Sequence, residues 1–397
     1  MDLALEDVQR HAGKFLATIV GVGFLVGIVL TMNAMYRGNI SDGIWLIEHT
    51  QADLWVVERG RGGPFNEQSR LPLRSYRSVA AVPGVASASP FISYAVQRQV
   101  GQRSQQFTVV GYDVFEGTGG PERIARGRAI ARAHYELVAD AKLGLAPGER
   151  VRLGPHEFEV VGITRGAVDP SGNPLAYLSI LDAEDVLYQL DDEAVRAARA
   201  TGAEALAARG YLPAQVERLA PLLGQDTNTI NAVLVRLAPG ADAAEVARHI
   251  ESWLYLGVYT GAEERQLMLG GRLFRMTVML GTFRSLLVLV SIVIMALIVY
   301  VLTMDKLKPI ATLKLIGAPN AVIVRLILEQ SLLLALLSFL LGYALISSTY
   351  TLFPRTMVLL RSDTLATFAV MMGGGVLASF LGIWNALRTP PNLALGG

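Results

Sequence analysis

The chain of 397 residues carries 35 Lys and Arg against 34 Asp and Glu, a formal charge of +1, which excludes the globally basic surface that holds nucleic acid. No cysteine is present, so disulfides, thiolate metal sites, cysteine nucleophiles and iron–sulfur ligation are excluded together. Hydrophobic residues make up 52% and charged residues only 17%, below the roughly 25% charged of soluble domains, and the deficit points to a membrane.

Residues 1–14 form a short N-terminal segment with Asp2, Glu6 and Asp7 beside Arg10. Residues 15–35 then run without a charge, long enough for the ~20 helical residues that cross a hydrocarbon core of about 30 Å. A secretory leader has a basic start, an apolar stretch of about 7–15 residues and a small-residue cleavage site. The acidic start, the longer run and the sequence Met32-Asn33-Ala34-Met35-Tyr36 do not match that pattern, so the segment reads as a retained transmembrane helix.

Residues 36–284 exceed any ordinary loop and read as a separate α+β domain. Strands are expected at 52–57, 85–96, 106–112, 149–153, 157–163 and 232–237, which are rich in Val, Ile, Phe and Tyr. Turn dipeptides such as Pro83-Gly84, Pro147-Gly148 and Gly154-Pro155 separate them. Helices are expected at 73–81, at the alanine-rich 191–208 and at 241–254, where Val246, Ile250 and Leu254 share a face. The stretch 191–210, poor in large apolar residues, reads as a solvated surface helix, and Asp191-Asp192-Glu193 reads as acids at a helix N-terminus. The five histidines show no i, i+3 or i, i+4 pair, so no metal ligand set is expected. Residues 261–284 keep helical character and, if continuous with the next apolar run, would form a stalk-like helix of about 65 Å.

Three more uncharged runs follow, at 285–304, 331–353 and 365–387, giving transmembrane helices at 285–304, 321–353 and 365–387, with a short outer loop at 354–364 and a tail at 388–397. The short loops place Lys306, Lys308, Lys314, Arg325 and Arg388 on one side against Arg355 and Arg361 on the other. That bias puts both termini and residues 305–320 in the cytoplasm and the large domain outside. Inside the spans Gly23-x-x-x-Gly27, Ser338-x-x-x-Gly342 and Gly375-x-x-x-Ser379 permit close helix approach, within one bundle or between subunits. No acidic or histidine relay crosses the bilayer, which argues against proton coupling. The local signatures of phosphate loops, zinc proteases and serine hydrolases are absent, so no covalent chemistry is expected.

The inner loop, 305–320, carries Pro309 where a helix starts, Gly317 where it ends and Pro319 just beyond. It reads as a helix of about two turns with Ile310, Leu313 and Gly317 on one side and Lys306, Lys308 and Lys314 around it. Such an apolar and basic helix either lies on lipid or fits a groove on a partner.

This constellation resembles the FtsX-like permeases of the MacB type, the membrane subunits of one class of ABC transporter. Their plan of one helix, a large extracytoplasmic domain and three more helices is followed over essentially the full length. Lys308, Ile310, Leu313, Lys314, Ile316, Gly317 and Ala318 fit the family's coupling-helix pattern, while Pro309 and Leu315 depart from it. Val160-Val161-Gly162-Ile163 resembles a strand of the family's periplasmic core domain, and Glu329-Gln330 lies near the family's acidic position in the third helix. The ending is also similar, with Trp384-Asn385-Ala386-Leu387-Arg388 followed by Pro391-x-x-Ala394-Leu395.

The resemblance implies a non-catalytic subunit in the bacterial inner membrane that dimerises with a second permease copy. It implies docking of a cytoplasmic ABC ATPase, which would hold ATP and Mg, at Lys306, Lys308, Ile310, Leu313, Lys314, Ile316, Gly317 and Ala318, and no cofactor on this chain. Membrane lipid, a periplasmic adaptor and an outer-membrane channel are further implied partners. The implied activity is mechanotransmission driving export of a small molecule, lipid or peptide. A scaffold that activates a cell-wall hydrolase, a lipoprotein-releasing permease and a receptor without an ATPase are the alternatives.

Overall fold

The computed structural model describes residues 12–100, 103–153, 156–188, 201, 203–213, 215–216, 229–350, 353 and 355–388. Two compact units emerge, Met1–Asn39 with Arg275–Gly397, and Ile40–Phe274. Helix α1 (Ala12–His49) contributes residues to both.

The second unit continues through β1 (Leu54–Glu58), α2 (Gly63–Asn66), β2 (Leu71–Pro72), α3 (Ser75–Ala80), β3 (Val85–Val100), β4 (Arg103–Tyr112), β5 (Arg126–Gly127) and β6 (Glu136–Asp140). It goes on through β7 (Arg150–Leu153), β8 (His156–Thr164), β9 (Leu175–Ser179), α4 (Ile180–Tyr188), β10 (Thr229–Ile230), β11 (Ala232–Leu237), α5 (Ala243–Leu254), β12 (Leu256–Thr260) and α6 (Gly261–Gly270). Ten strands form one mixed sheet in the order β12-β1-β11-β3-β4-β9-β6-β8-β5, with β7 on β8. Alternation along β1 sends Leu54 and Val56 into a core shared with Val79, Val186, Val246 and Ile250, so α3, α4 and α5 cover that face. Trp55 and Val57 point the other way, into a core with Leu46, Ile47, Met268 and Leu273.

The unit is therefore α+β, with both faces of the sheet buried along β1, β6 and β9, while β5 and alternate positions of β7 stay exposed. Burial on both faces explains why β6 and β9, buried at every position, were missed in the sequence: neither shows the alternation of a half-exposed strand. The helix expected over 191–208 lies mostly outside the described residues, as do Asp191-Asp192-Glu193 and the tail beyond Arg388.

The long stalk-like helix is corrected. Helix α6 stops, and α7 (Arg272–Met304) begins after Gly271, whose backbone at φ −101°, ψ −101° is not helical. Asn66 satisfies both broken ends: its Nδ2 donates to Leu267 O at 2.7 Å and its Oδ1 accepts from Arg272 N at 3.1 Å. The start of α6 is fixed by a capping box between Thr260 and Glu263.

The first unit holds α7, α8 (Leu307–Leu315), α9 (Asn320–Thr349) and α10 (Arg361–Arg388) beside the start of α1. Helices α1, α7, α9 and α10 are long and apolar enough to cross a membrane. Helix α10 carries Asp363 in its first turn and Arg388 in its last, both favourable to the helix dipole.

Small residues set the spacing between these helices. A Cβ on Gly342 would fall 2.7 Å from Gly27 N and 2.8 Å from Gly23 O, so α9 and α1 meet backbone to backbone there. Ser338, also on α9, is fully buried, and a Cβ on Gly23 would sit 3.1 Å from its carbonyl. On α10, Gly375 faces Ala335 and the Ser331 carbonyl of α9, and Ser379 is buried with its Oγ bonded to Val376 O at 2.7 Å.

Candidate functional site

Helix α8 connects α7 to α9, and its two ends are fixed differently. At the start Lys306 is buried, and its Nζ donates to Gln330 Oε1 of α9 at 2.9 Å. Burial pushes the Lys306 ammonium down to about 8. At the end Gly317 adopts φ +90°, and its N–H bonds Lys314 O at 3.1 Å while the Ala318 N–H bonds Leu313 O at 3.0 Å. That pair of bonds is a Schellman cap, which needs a left-handed residue and so selects glycine.

Between the ends Lys314 reaches across to α10, where its Nζ donates to Ala386 O and Leu387 O, each at 2.9 Å. A cation there satisfies the last carbonyls of a helix and opposes its dipole. Ile310 and Ala311 are buried in the bundle core. Leu313 and Ala318 are half-buried, whereas Leu315 is 48% and Ile316 79% exposed. The Lys308 side chain lies outside the described residues.

Of the side made by Ile310, Leu313 and Gly317, Ile310 turns inward, Leu313 is half-buried and Gly317 is exposed. Ile310 anchors the helix inward in the buried core that also holds Ile323 and Ile327, and the uncovered apolar side chains are Leu315 and Ile316. Two of the lysines that looked like solvated charge, Lys306 and Lys314, serve internal bonds. Gln330, noticed only for its neighbour Glu329, is the residue that ties α8 to α9, while Glu329 pairs with Arg325 at 2.8 Å.

A second polar cluster ties the bundle at the end next to residue 40. Arg37 holds Asp363 with two bonds, Nε to Oδ2 at 2.6 Å and Nη2 to Oδ1 at 2.9 Å. Arg284 Nη1 donates to Asn33 Oδ1 at 2.8 Å, and Asn33 Nδ2 donates to Thr367 Oγ1 at 3.2 Å, linking α7, α1 and α10. Arg355 Nη1 donates to Asn39 Oδ1 at 2.7 Å. Of these residues the sequence drew attention only to Arg355, as a loop charge. Their partners lie hundreds of positions away.

The family described as MacB-like periplasmic core domain matches residues 15–253, and the family described as FtsX-like permease C-terminal matches residues 281–391. The chain belongs to the MacB/FtsX type of ABC transporter permease. It is 23% identical over 394 residues to an uncharacterized ABC transporter permease of Mycobacterium tuberculosis, covering 99% of each chain. A corresponding permease of Mycobacterium bovis is 24% identical over 396 residues, again covering 99% of each.

Among solved structures, the periplasmic region of MacB from Actinobacillus actinomycetemcomitans aligns at 12% identity with a TM-score of 0.36, covering 57% of this chain and 96% of that one. The extracellular domain of the noncanonic ABC-type transporter YknZ from Gram-positive bacteria aligns at 12% identity and a TM-score of 0.31, covering 53% and 100%.

Proposed function

We propose that the chain couples ATP hydrolysis on a separate cytoplasmic ATPase to motion of its large domain, driving export of a small molecule, lipid or peptide. The observation that carries the reading is the construction of α8. A short helix exposes Leu315 and Ile316 while Lys306 is bonded to α9 and Lys314 to α10, so a push on its free side reaches two spanning helices directly. The absence of a phosphate loop in the sequence is consistent with energy arriving from another polypeptide. In this reading both termini and α8 are cytoplasmic, the large domain is extracytoplasmic, and two copies act together in the inner membrane, with an adaptor and outer-membrane channel as further partners.

The test is purification of the full chain in mild detergent from its native membrane, with mass spectrometry of what remains bound. A nucleotide-binding ATPase is expected in near-equal amount with the wild type. Ile316→Asp, which places a charge on the uncovered side without touching the core, is expected to lose it at unchanged chain level. Repeated absence of any ATPase, or full recovery with Ile316→Asp, would move the reading to a receptor or remove this face from it.

A further inference from the structure

An apolar groove of about 450 Å³ runs between α1 and α9. Phe24, Ile28 and Met32 line it from α1, a four-residue repeat that marks one helix face, and Leu345, Ile346 and Phe353 line it from α9 and the segment beyond. The two hydroxyls in its wall are already satisfied: Thr31 Oγ1 donates to Gly27 O at 2.8 Å and Thr349 Oγ1 to Leu345 O at 2.7 Å. The wall therefore offers a guest hydrocarbon and no unpaired polar group, and at membrane depth a void of this kind forfeits dispersion contacts unless hydrocarbon fills it. From Phe24 to Met32 the groove spans about 12 Å, most of the ~15 Å depth of one leaflet's hydrocarbon.

Two turns above Met32, on the same face of α1, stands Asn39, which accepts the bond from the exposed Arg355. The step of seven positions rises about 10 Å, the distance from the top of an acyl chain to the headgroup level. The charge at this end of the bundle is lopsided. Arg37, Arg284, Arg355 and Arg361 are opposed by Asp363, which Arg37 engages, as the acid in residues 33–39, 284 and 353–365, and the next acid along α1, Asp42, is buried. Among the described residues Arg355 bonds only to the neutral amide of Asn39, so no acid stands against its guanidinium at the end of α1 to which the apolar slot leads.

We propose that the α1–α9 groove is a lipid site holding one acyl chain of a membrane phospholipid, with the headgroup phosphate on Arg355 and a preference for anionic headgroups. Hydrocarbon below and guanidinium above match the two ends of such a molecule, and the excess of arginine over acid disfavours the cationic amine of a zwitterionic headgroup. The site is independent of ATPase coupling, since none of its residues belongs to α8.

Native mass spectrometry of the full chain in detergent, titrated with phosphatidylglycerol or phosphatidylcholine, tests the proposal. The wild type is expected to retain one phosphatidylglycerol per chain and to hold phosphatidylcholine more weakly. Arg355→Gln is expected to weaken phosphatidylglycerol about tenfold, the order that one charge-assisted hydrogen bond carries. Ile28→Trp and Thr349→Trp fill the groove from positions that do not support the bundle core, and each is expected to abolish retention of both lipids with the fold intact by circular dichroism.

Equal retention of the two lipids, or retention unchanged by the tryptophan variants, would overturn the site. So would displacement by millimolar inorganic phosphate, which would reduce it to a phosphate contact. Because the chain has no cysteine, Phe24→Cys supplies a unique thiol. Efficient disulfide linkage of two copies through it in the membrane would assign the groove to a second copy and overturn the lipid.

Discussion

Replacing Gly342 by alanine isolates the close approach of α9 to α1. The added methyl would lie 2.7 Å from Gly27 N and 2.8 Å from Gly23 O, both backbone atoms that no rotamer change can move. The reciprocal change, Gly27→Ala, brings its methyl only to 3.5 Å from Gly342 O, an ordinary contact. Both variants gain the same helix propensity, about 0.5–1 kcal/mol, so the difference between them reports the packing alone. Overpacking that forces two backbones apart costs about 1–3 kcal/mol, so Gly342→Ala is expected to be less stable than Gly27→Ala by that amount. The assay is the temperature or denaturant dependence of monodisperse protein in one detergent, both variants measured against wild type. Equal stability of the two variants would refute the backbone contact and the helix spacing derived from it.

Three further outcomes follow from other parts of the molecule. Glu264 on α6 is fully buried against Gly63, its oxygens have no hydrogen-bond partner among the described residues, and burial pushes its carboxyl up from 4.5 to about 8. The folded state then holds a proton the unfolded chain has lost, so stability is expected to fall with rising pH between those values by at most about 1.4 kcal/mol per unit, and to level off above. Glu264→Gln should flatten that slope in pH-dependent denaturation followed by the buried Trp55, and a flat wild-type profile would refute the assignment.

Asp363→Asn breaks the two-bond contact with Arg37 and should cost about 1–3 kcal/mol, with coupling to Arg37→Gln in a double-mutant cycle; strictly additive effects would remove the pair from the bundle's support. Gly317→Ala should cost about 1–2 kcal/mol at the α8 cap, with Gly317→Asn costing less, read as faster amide exchange at residues 317 and 318; identical exchange in both would exclude the left-handed cap.

Hydropathy made the four spanning helices legible because a charge is expensive in hydrocarbon, but it marked only their lipid-deep parts. Helix α1 runs on to His49 and α7 starts at Arg272, through charged stretches that a charge-free run excludes by definition. The break at Gly271 had a local sign in the dipeptide Gly270-Gly271, which the apolar periodicity on either side outweighed, whereas the residue that satisfies its ends, Asn66, lies some two hundred residues earlier. The turn chemistry of residues 305–320 placed α8 correctly, because Gly317 and Pro319 act locally. Periodicity marked the apolar side of Ile310, Leu313 and Gly317 without saying which of them is covered, and Ile310 is buried in the bundle core.

The position of β1 bears on how the large domain is made. This strand lies between β11 and β12, and its register pairs Trp55 with Leu234 and Tyr259. A strand formed near residue 55 therefore has no neighbour until some 180 further residues have been synthesised, which at about 5–20 residues per second is on the order of ten to forty seconds. Through that interval Leu54–Val57, apolar on both faces, waits as an open edge tethered to the membrane by the preceding helix. Loop closure over such a separation makes the joining of β1 to β11 a late step in acquiring the fold.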